Sequence, residues 1–135
     1  MPRGLTNCNP GNIRRSATRY KGEVQGSDPD FKCFASPEWG YRAVFVLLHT
    51  YRLRHGADTI RRMIERYAPD SENDTAGYIR SVHRLSGIGP DTPLDTLRAG
   101  QMLPVVGAIS RVENGIAADE AQLHRGWELF RADFS

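Results

Sequence analysis

The run Ala108-Ile109-Ser110-Arg111-Val112-Glu113-Asn114-Gly115 has the residue types and spacing to deliver one carboxylate at the end of a helix. Val105, Ala108, Ile109 and Val112 fall at i, i+3, i+4 and i+7, the pattern of one helical face. Glu113 comes four residues after Ile109 and so sits at the edge of that apolar stripe rather than opposite it. Asn114 and Gly115 are residue types that tolerate the left-handed conformation with which helices end. Charged side chains avoid apolar faces unless something holds them there. Burial and the negative end of the helix dipole both act against an ionised carboxylate. A carboxylic acid that keeps its proton near neutral pH is what glycoside cleavage uses to protonate a leaving oxygen. The plainer alternative is a helix-terminal Glu that points to water.

Two further constellations could serve such an acid. Asn7, Asn9 and Asn12 surround Pro10-Gly11, a turn signature in which Pro fixes φ and Gly accepts a positive one. Their amides can line a cleft and hydrogen-bond sugar hydroxyls or N-acetyl groups. The alternative is a turn that satisfies its own backbone. The second constellation is Ala68-Pro69-Asp70-Ser71-Glu72-Asn73-Asp74-Thr75, followed by Tyr78. It reads as an interhelical connection with an N-cap. It also places Glu72, Asn73, Thr75 and Tyr78 at the rim or floor of a cleft, with Tyr78 as an amphipathic platform. Glu23, Asp28, Asp30 and Glu38 are the other acids that could supply a second carboxylate, and nothing in their spacing selects one. His49, His55, His83 and His124 lack metal-ligand spacing, so neither metal nor cofactor is expected. Cys8 and Cys33 are too few for a disulfide framework and are expected as free thiols.

The elements that must position these groups are mostly helical. Residues 1–30 are rich in Gly, Asn, Pro, Arg and Ser and read as irregular. Phe31-Lys32-Cys33-Phe34 is a short candidate strand. Ser36-Pro37-Glu38 opens a helix, with Ser36 as N-cap and Pro37 at the first position, and Gly56 ends it after about His55. It is apolar nearly all round, which predicts a central, buried helix. Ile60, Met63, Ile64 and Tyr67 mark a second helix, with Arg61, Arg62, Glu65 and Arg66 outward. A third starts near Asp74 or Thr75 and carries Tyr78, Ile79, Val82 and Leu85. Residues 86–96 form a Gly/Pro-rich loop. A fourth helix leads to Glu113, with Pro104 either kinking or starting it. A last helix over roughly 118–131 buries Leu123, Trp127 and Phe130. The expectation is a mainly α single domain over residues 1–135, with about five helices and at most a small β element near residues 20–35.

With 135 residues, 39% apolar and 25% charged, the chain fits one soluble domain with one core. Its 18 basic and 16 acidic residues give a net charge of +2. That suits an anionic polymer and falls far short of a nucleic-acid stripe, although Arg14, Arg15, Arg19, Lys21, Arg61, Arg62 and Arg66 are the residues such a role would use. No apolar run approaches membrane-spanning length, and the N-terminus lacks the apolar core of a secretory signal. Synthesis in the cytoplasm and a monomeric state are expected.

The run from Arg3 to Arg14, with Asn7-Cys8-Asn9-Pro10-Gly11-Asn12-Ile13 at its centre, resembles the start of phage and prophage proteins of the structural or virion protein P5-like family. The likeness continues through Phe31…Phe34, Gly40-Tyr41-Arg42-Ala43, Thr59-Ile60, Tyr67-Ala68-Pro69, Glu72-Asn73-Asp74-Thr75, Tyr78-Ile79 and Ile109…Glu113-Asn114-Gly115. It covers nearly the whole chain. This chain carries Cys8 where the family's usual run has Asn.

A second resemblance concerns chemistry. Lysozyme-like lytic transglycosylases and glucosaminidases have a helix ending in a catalytic Glu, then a Gly-containing cleft segment, then a helix with Tyr in a Thr-x-x-Tyr-like context. Val112-Glu113-Asn114-Gly115, Asn9-Pro10-Gly11-Asn12-Ile13 and Thr75-Ala76-Gly77-Tyr78 resemble those parts in rotated order. The resemblance implies a circularly permuted lysozyme-like domain that cleaves the β-1,4 bond of peptidoglycan. Glu113 would be the catalytic acid. Asn7, Asn9, Asn12, Glu72, Asn73, Thr75 and Tyr78 would bind substrate. Action would be in the periplasm or on the cell wall after release, or from a virion. A non-enzymatic virion or assembly component is the alternative.

Overall fold

The computed structural model describes residues 1–135. It is mainly helical, with six helices and one two-stranded sheet. In chain order these are α1 (Arg3–Thr6), β1 (Glu23–Val24), β2 (Cys33–Phe34), α2 (Pro37–His55), α3 (Ile60–Tyr67), α4 (Thr75–Ser86), α5 (Ala99–Asn114) and α6 (Glu120–Asp133).

Local chemistry sets most of the boundaries. Pro37 opens α2, and Gly56 closes it at φ 62°, donating its N–H to the Arg52 carbonyl. Ser36 occupies the N-cap position but its hydroxyl makes no capping hydrogen bond. Thr59 caps α3 by accepting from the Arg62 N–H. Asp74 and Asp119 do the same for α4 and α6, accepting from Gly77 and Gln122. Each such cap satisfies a backbone donor that the first helical turn leaves without a partner. α5 begins at Ala99 and runs through Pro104, so the proline does not start it. The expected five helices become six because residues 3–6 form a single turn. β1 and β2 pair antiparallel, with Glu23 opposite Phe34 and Val24 opposite Cys33. An isolated bridge joins Arg14 to Phe31.

Tyr41, Val44, Phe45 and Leu48 of α2 are fully buried, as its all-round apolar sequence predicts. α6 lies along α2, and Gly126 is the close-approach point. A Cβ there would stand 2.6 Å from Tyr41 Cβ and 3.0 Å from the Glu38 carbonyl. Phe130 stacks on Phe45, and Trp127 meets Phe45 edge-on. Leu123 and Phe130 are buried as expected, while Trp127 is only half-buried. Leu85 is 44% exposed rather than part of the α4 core face. α4 supplies Tyr78, Ile79 and Val82 to the same core as α5.

Candidate active site

Glu113 is the penultimate residue of α5, and Gly115 ends that helix at φ 75°. The side chain is half-buried. Each carboxylate oxygen receives one donor. Asn12 Nδ2 donates to Oε1 at 2.8 Å, and the Tyr78 hydroxyl donates to Oε2 at 2.8 Å. The two donors fix the carboxylate between the N-terminal turn and α4. Each oxygen keeps a second lone pair for a proton or a substrate hydrogen bond.

Asn12 reaches Glu113 because the turn before it is over-determined. Its φ is 48°, the left-handed region that Asn tolerates better than most residues. Its N–H donates to the Asn9 carbonyl, and the Tyr67 hydroxyl donates to the Gly11 carbonyl. A Cβ at Gly11 would collide with that hydroxyl and with Val44 Cγ2. Asn9 is fully buried. Its amide nitrogen donates to the carbonyls of Ile13 and Lys32, and its oxygen accepts from the Ile13 N–H. Asn114 Nδ2 donates to the Pro10 carbonyl and ties the end of α5 to the same turn. Asn9, Asn12 and Asn114 converge on Gly4, where a Cβ would lie 2.6–2.8 Å from an oxygen of each. The side-chain oxygens of Asn12 and Asn114 are buried with no N–H or O–H donor. Cys8 also has a positive φ, 52°, in the backbone region where Asn is several-fold enriched.

Glu113 lines a groove of about 410 Å³. One bank is the segment from Asn12 to Tyr20 with Phe31. The other is the end of α3 and the turn into α4, with Arg66, Tyr67, Pro69, Glu72 and Asn73. Leu47 and Tyr51 of α2 complete the lining. Arg14 and Glu72 form an ion pair at 3.4 Å between the two banks, and both are about half exposed. The first bank is anchored by Lys32, which is buried. Its Nζ donates to the Ser16 and Thr18 carbonyls and pairs with Glu23 at 3.1 Å. Burial pushes the Tyr78 and Tyr67 phenols well above the usual tyrosine value, and the nearby Glu113 charge adds to this. Both therefore stay protonated, as hydrogen-bond donors, through the neutral range.

The structure separates the residues the sequence grouped. Asn12, Glu72, Asn73 and Glu113 share the groove. Asn9 does not, because its whole amide is spent on Ile13 and on the Lys32 carbonyl. Asn7 is occupied by Asp28, to which its amide donates at 3.0 Å. Thr75 is buried, and its hydroxyl donates to the Ala68 carbonyl. Tyr78 is buried beside Glu113 and holds the carboxylate rather than presenting a platform to the groove. Among the other acids, Asp28 and Asp30 pair with Arg3, and Glu23 pairs with Lys32. None of these three, nor Glu38, lines the groove. Of the basic residues of the nucleic-acid alternative, Arg14, Arg15 and Arg66 line the groove, while Arg61 pairs with Asp91, Arg62 with Asp58 and Lys21 with Asp133. Tyr67 and Lys32 are the positioning residues that sequence reasoning missed, since their partners lie far away in the chain.

No group of three or more His, Cys, Asp or Glu comes together in a metal-binding arrangement. Cys8 and Cys33 are free thiols. No helix is long and apolar enough to cross a membrane. A wider groove of about 690 Å³ runs beside α5 and the start of α6, lined by Leu103, Pro104 and Leu123 among others, and holds none of the candidate site residues. The groove at Glu113 can hold an extended polar ligand, with Tyr20, Phe31, Tyr51 and Tyr67 among its lining and one carboxylate on its wall.

No protein-family model matches the chain. Protein P5 of Pseudoalteromonas phage PM2 is 36% identical to it over 118 residues, covering 84% of this chain and 71% of that protein. Identity at that level across most of both chains makes this protein a member of the phage protein P5 family.

Proposed function

We propose that the protein cleaves the β-1,4 bond between N-acetylmuramic acid and N-acetylglucosamine in peptidoglycan, with Glu113 as the single general acid and base. The observation that carries this reading is the Glu113 carboxylate on a groove wall, with Asn12 on one oxygen and Tyr78 on the other. A solvated helix-terminal Glu would need neither partner. The domain is read as lysozyme-like with its parts in circularly permuted order. The meeting of the C-terminal end of α5 with the turn at residues 9–13 and with α4 supports that order.

In this mechanism the protonated Glu113 carboxyl gives its proton to the glycosidic oxygen as the bond to the anomeric carbon breaks. The resulting carboxylate then takes a proton from the attacking nucleophile. If that nucleophile is water, the product is a reducing sugar. If it is the C6 hydroxyl of the same muramyl residue, the product is an anhydro sugar. The lack of a second unpaired carboxylate in the groove favours the second outcome, because the inverting and retaining hydrolases use two. Glu72, the other acid in the groove, is paired with Arg14. Tyr78 and Asn12 hold Glu113 in place, while Asn73 and the groove lining contact the sugar. The setting is the host cell wall, reached after release of the protein or from a virion.

The test is digestion of purified wall sacculi followed by mass analysis of the soluble products. Muropeptides ending in reducing or anhydro muramic acid are expected. Sacculi left intact by a folded protein would overturn the reading in favour of a non-enzymatic virion or assembly role.

A further inference from the structure

The groove carries three arginines and two glutamates, and their partners are unequal. Arg14 is paired with Glu72. Arg15 donates to the Gly26 carbonyl at 2.8 Å. Glu113 is held by Asn12 and Tyr78. Arg66 has no ion pair and no hydrogen bond, yet its guanidinium lies over the Tyr51 ring, 5.5 Å from the centroid. All its N–H donors are free. A guanidinium held against an aromatic face loses less freedom when it meets a ligand, and its planar fork matches a carboxylate at two points.

We infer that the groove reads a carboxylate on the glycan as well as the sugar rings, and that Arg66, stacked on Tyr51, is the residue that takes it. The inference rests on the glycan-cleavage reading for its ligand class. N-Acetylglucosamine is neutral and offers Arg66 no charge to pair with. The anions of a wall strand are the lactyl carboxylate where a muramic acid is bare and, where a peptide is amide-linked to that lactyl group, the carboxylates of the peptide. The preferred substrate is therefore the acidic, muramic-acid-containing strand, and a chitin-type glycan binds without the contribution of Arg66.

The experiment measures binding by calorimetry, with Glu113→Gln in every protein so that turnover does not consume the ligand. Three probes are used: chitotetraose, a tetrasaccharide of alternating N-acetylglucosamine and N-acetylmuramic acid, and the same tetrasaccharide bearing peptide stems. Adding Arg66→Gln should weaken the carboxylate-bearing probes by about tenfold, the effect of one charge-assisted hydrogen bond at a solvent-accessible site. Chitotetraose affinity should not change. Arg66→Lys should recover only part of the loss, because an ammonium cannot form the paired contact. Added salt should weaken the acidic probes alone. A loss confined to the peptide-free tetrasaccharide assigns the lactyl carboxylate, a loss confined to the third probe assigns the stem, and a loss with both shows that the site takes either. Equal affinity of the Arg66 variant and its parent for all three probes, or no binding of any probe by the parent, would overturn the inference. Wall digestion by the unmodified chain is scored separately. Digestion with Arg66-independent binding sinks this inference alone. Arg66-dependent binding without digestion sinks the cleavage reading and leaves the carboxylate site standing.

Discussion

Asn12 donates its side-chain amide to Glu113 Oε1 at 2.8 Å, although 101 residues of chain separate them. The bond joins a left-handed turn near the N-terminus to the last turn of α5. It makes the position of the carboxylate depend on a backbone conformation, and Asn12→Gly and Asn12→Ala separate those two contributions. Glycine keeps the positive φ and removes only the amide. Activity on cell walls should fall roughly 10- to 100-fold with a small loss of stability, the range for a hydrogen bond to a charged group. Alanine should lose the same activity and a further 1–2 kcal/mol or so of stability, because its Cβ resists the left-handed region. Equal melting temperatures for the two variants would contradict the role given to φ.

Asn9 is predicted to behave in the opposite way. Asn9→Ala leaves the Lys32 carbonyl and the Ile13 N–H without their partner, while the Ile13 carbonyl keeps the Lys32 N–H. Each orphaned group costs about 1–3 kcal/mol, so denaturant midpoints should drop sharply. Specific activity per folded molecule should stay within a few-fold of the parent at low temperature. A stable Asn9→Ala protein with weakened substrate binding would return Asn9 to the groove.

The tyrosines predict an alkaline limit. All five lie above their ordinary value of 10.0, each chiefly because burial opposes the phenolate. Tyr20 is pushed up to about 12. Their folded values exceed their unfolded ones. The stability they contribute is therefore fully present below pH 10 and is lost as pH rises toward and through the folded values. Urea midpoints should show no tyrosine-linked loss up to about pH 10 and then fall. Replacing both Tyr67 and Tyr78 with Phe should make that alkaline fall shallower. An unchanged slope in the double variant would contradict the burial of these phenols.

Helix boundaries were legible where single residues decide them. Pro37 and Gly56 bracket α2, Asp74 caps α4, and Gly115 stops α5, each by local chemistry that acts wherever the residue stands. The position of Glu113, half-buried at the end of α5, was legible for the same reason, as a charge on an apolar edge followed by a stop. The division of labour among asparagines was not. Asn7, Asn9 and Asn12 look alike in sequence, and only the fold decides that one meets Asp28, one is buried in its own turn and one meets Glu113. α1 was missed because a single turn of Arg3–Thr6 has no side-chain cap and no apolar repeat long enough to register. Tyr67 and Lys32 were missed because nothing local marks a tyrosine whose hydroxyl holds a carbonyl 56 residues away, or a lysine that buries its charge on Glu23.

Glu113 is the proposed proton donor, and Glu113→Gln removes its proton while sparing its shape. The amide is nearly isosteric, and its oxygen can still accept from Asn12 or Tyr78, so the melting temperature should stay close to that of the parent. A carboxamide cannot give and retrieve the proton. The rate of release of soluble muropeptides from purified sacculi should fall at least about 100-fold, the lower end for loss of general acid catalysis. Release at the parental rate by a folded Glu113→Gln protein would contradict the account.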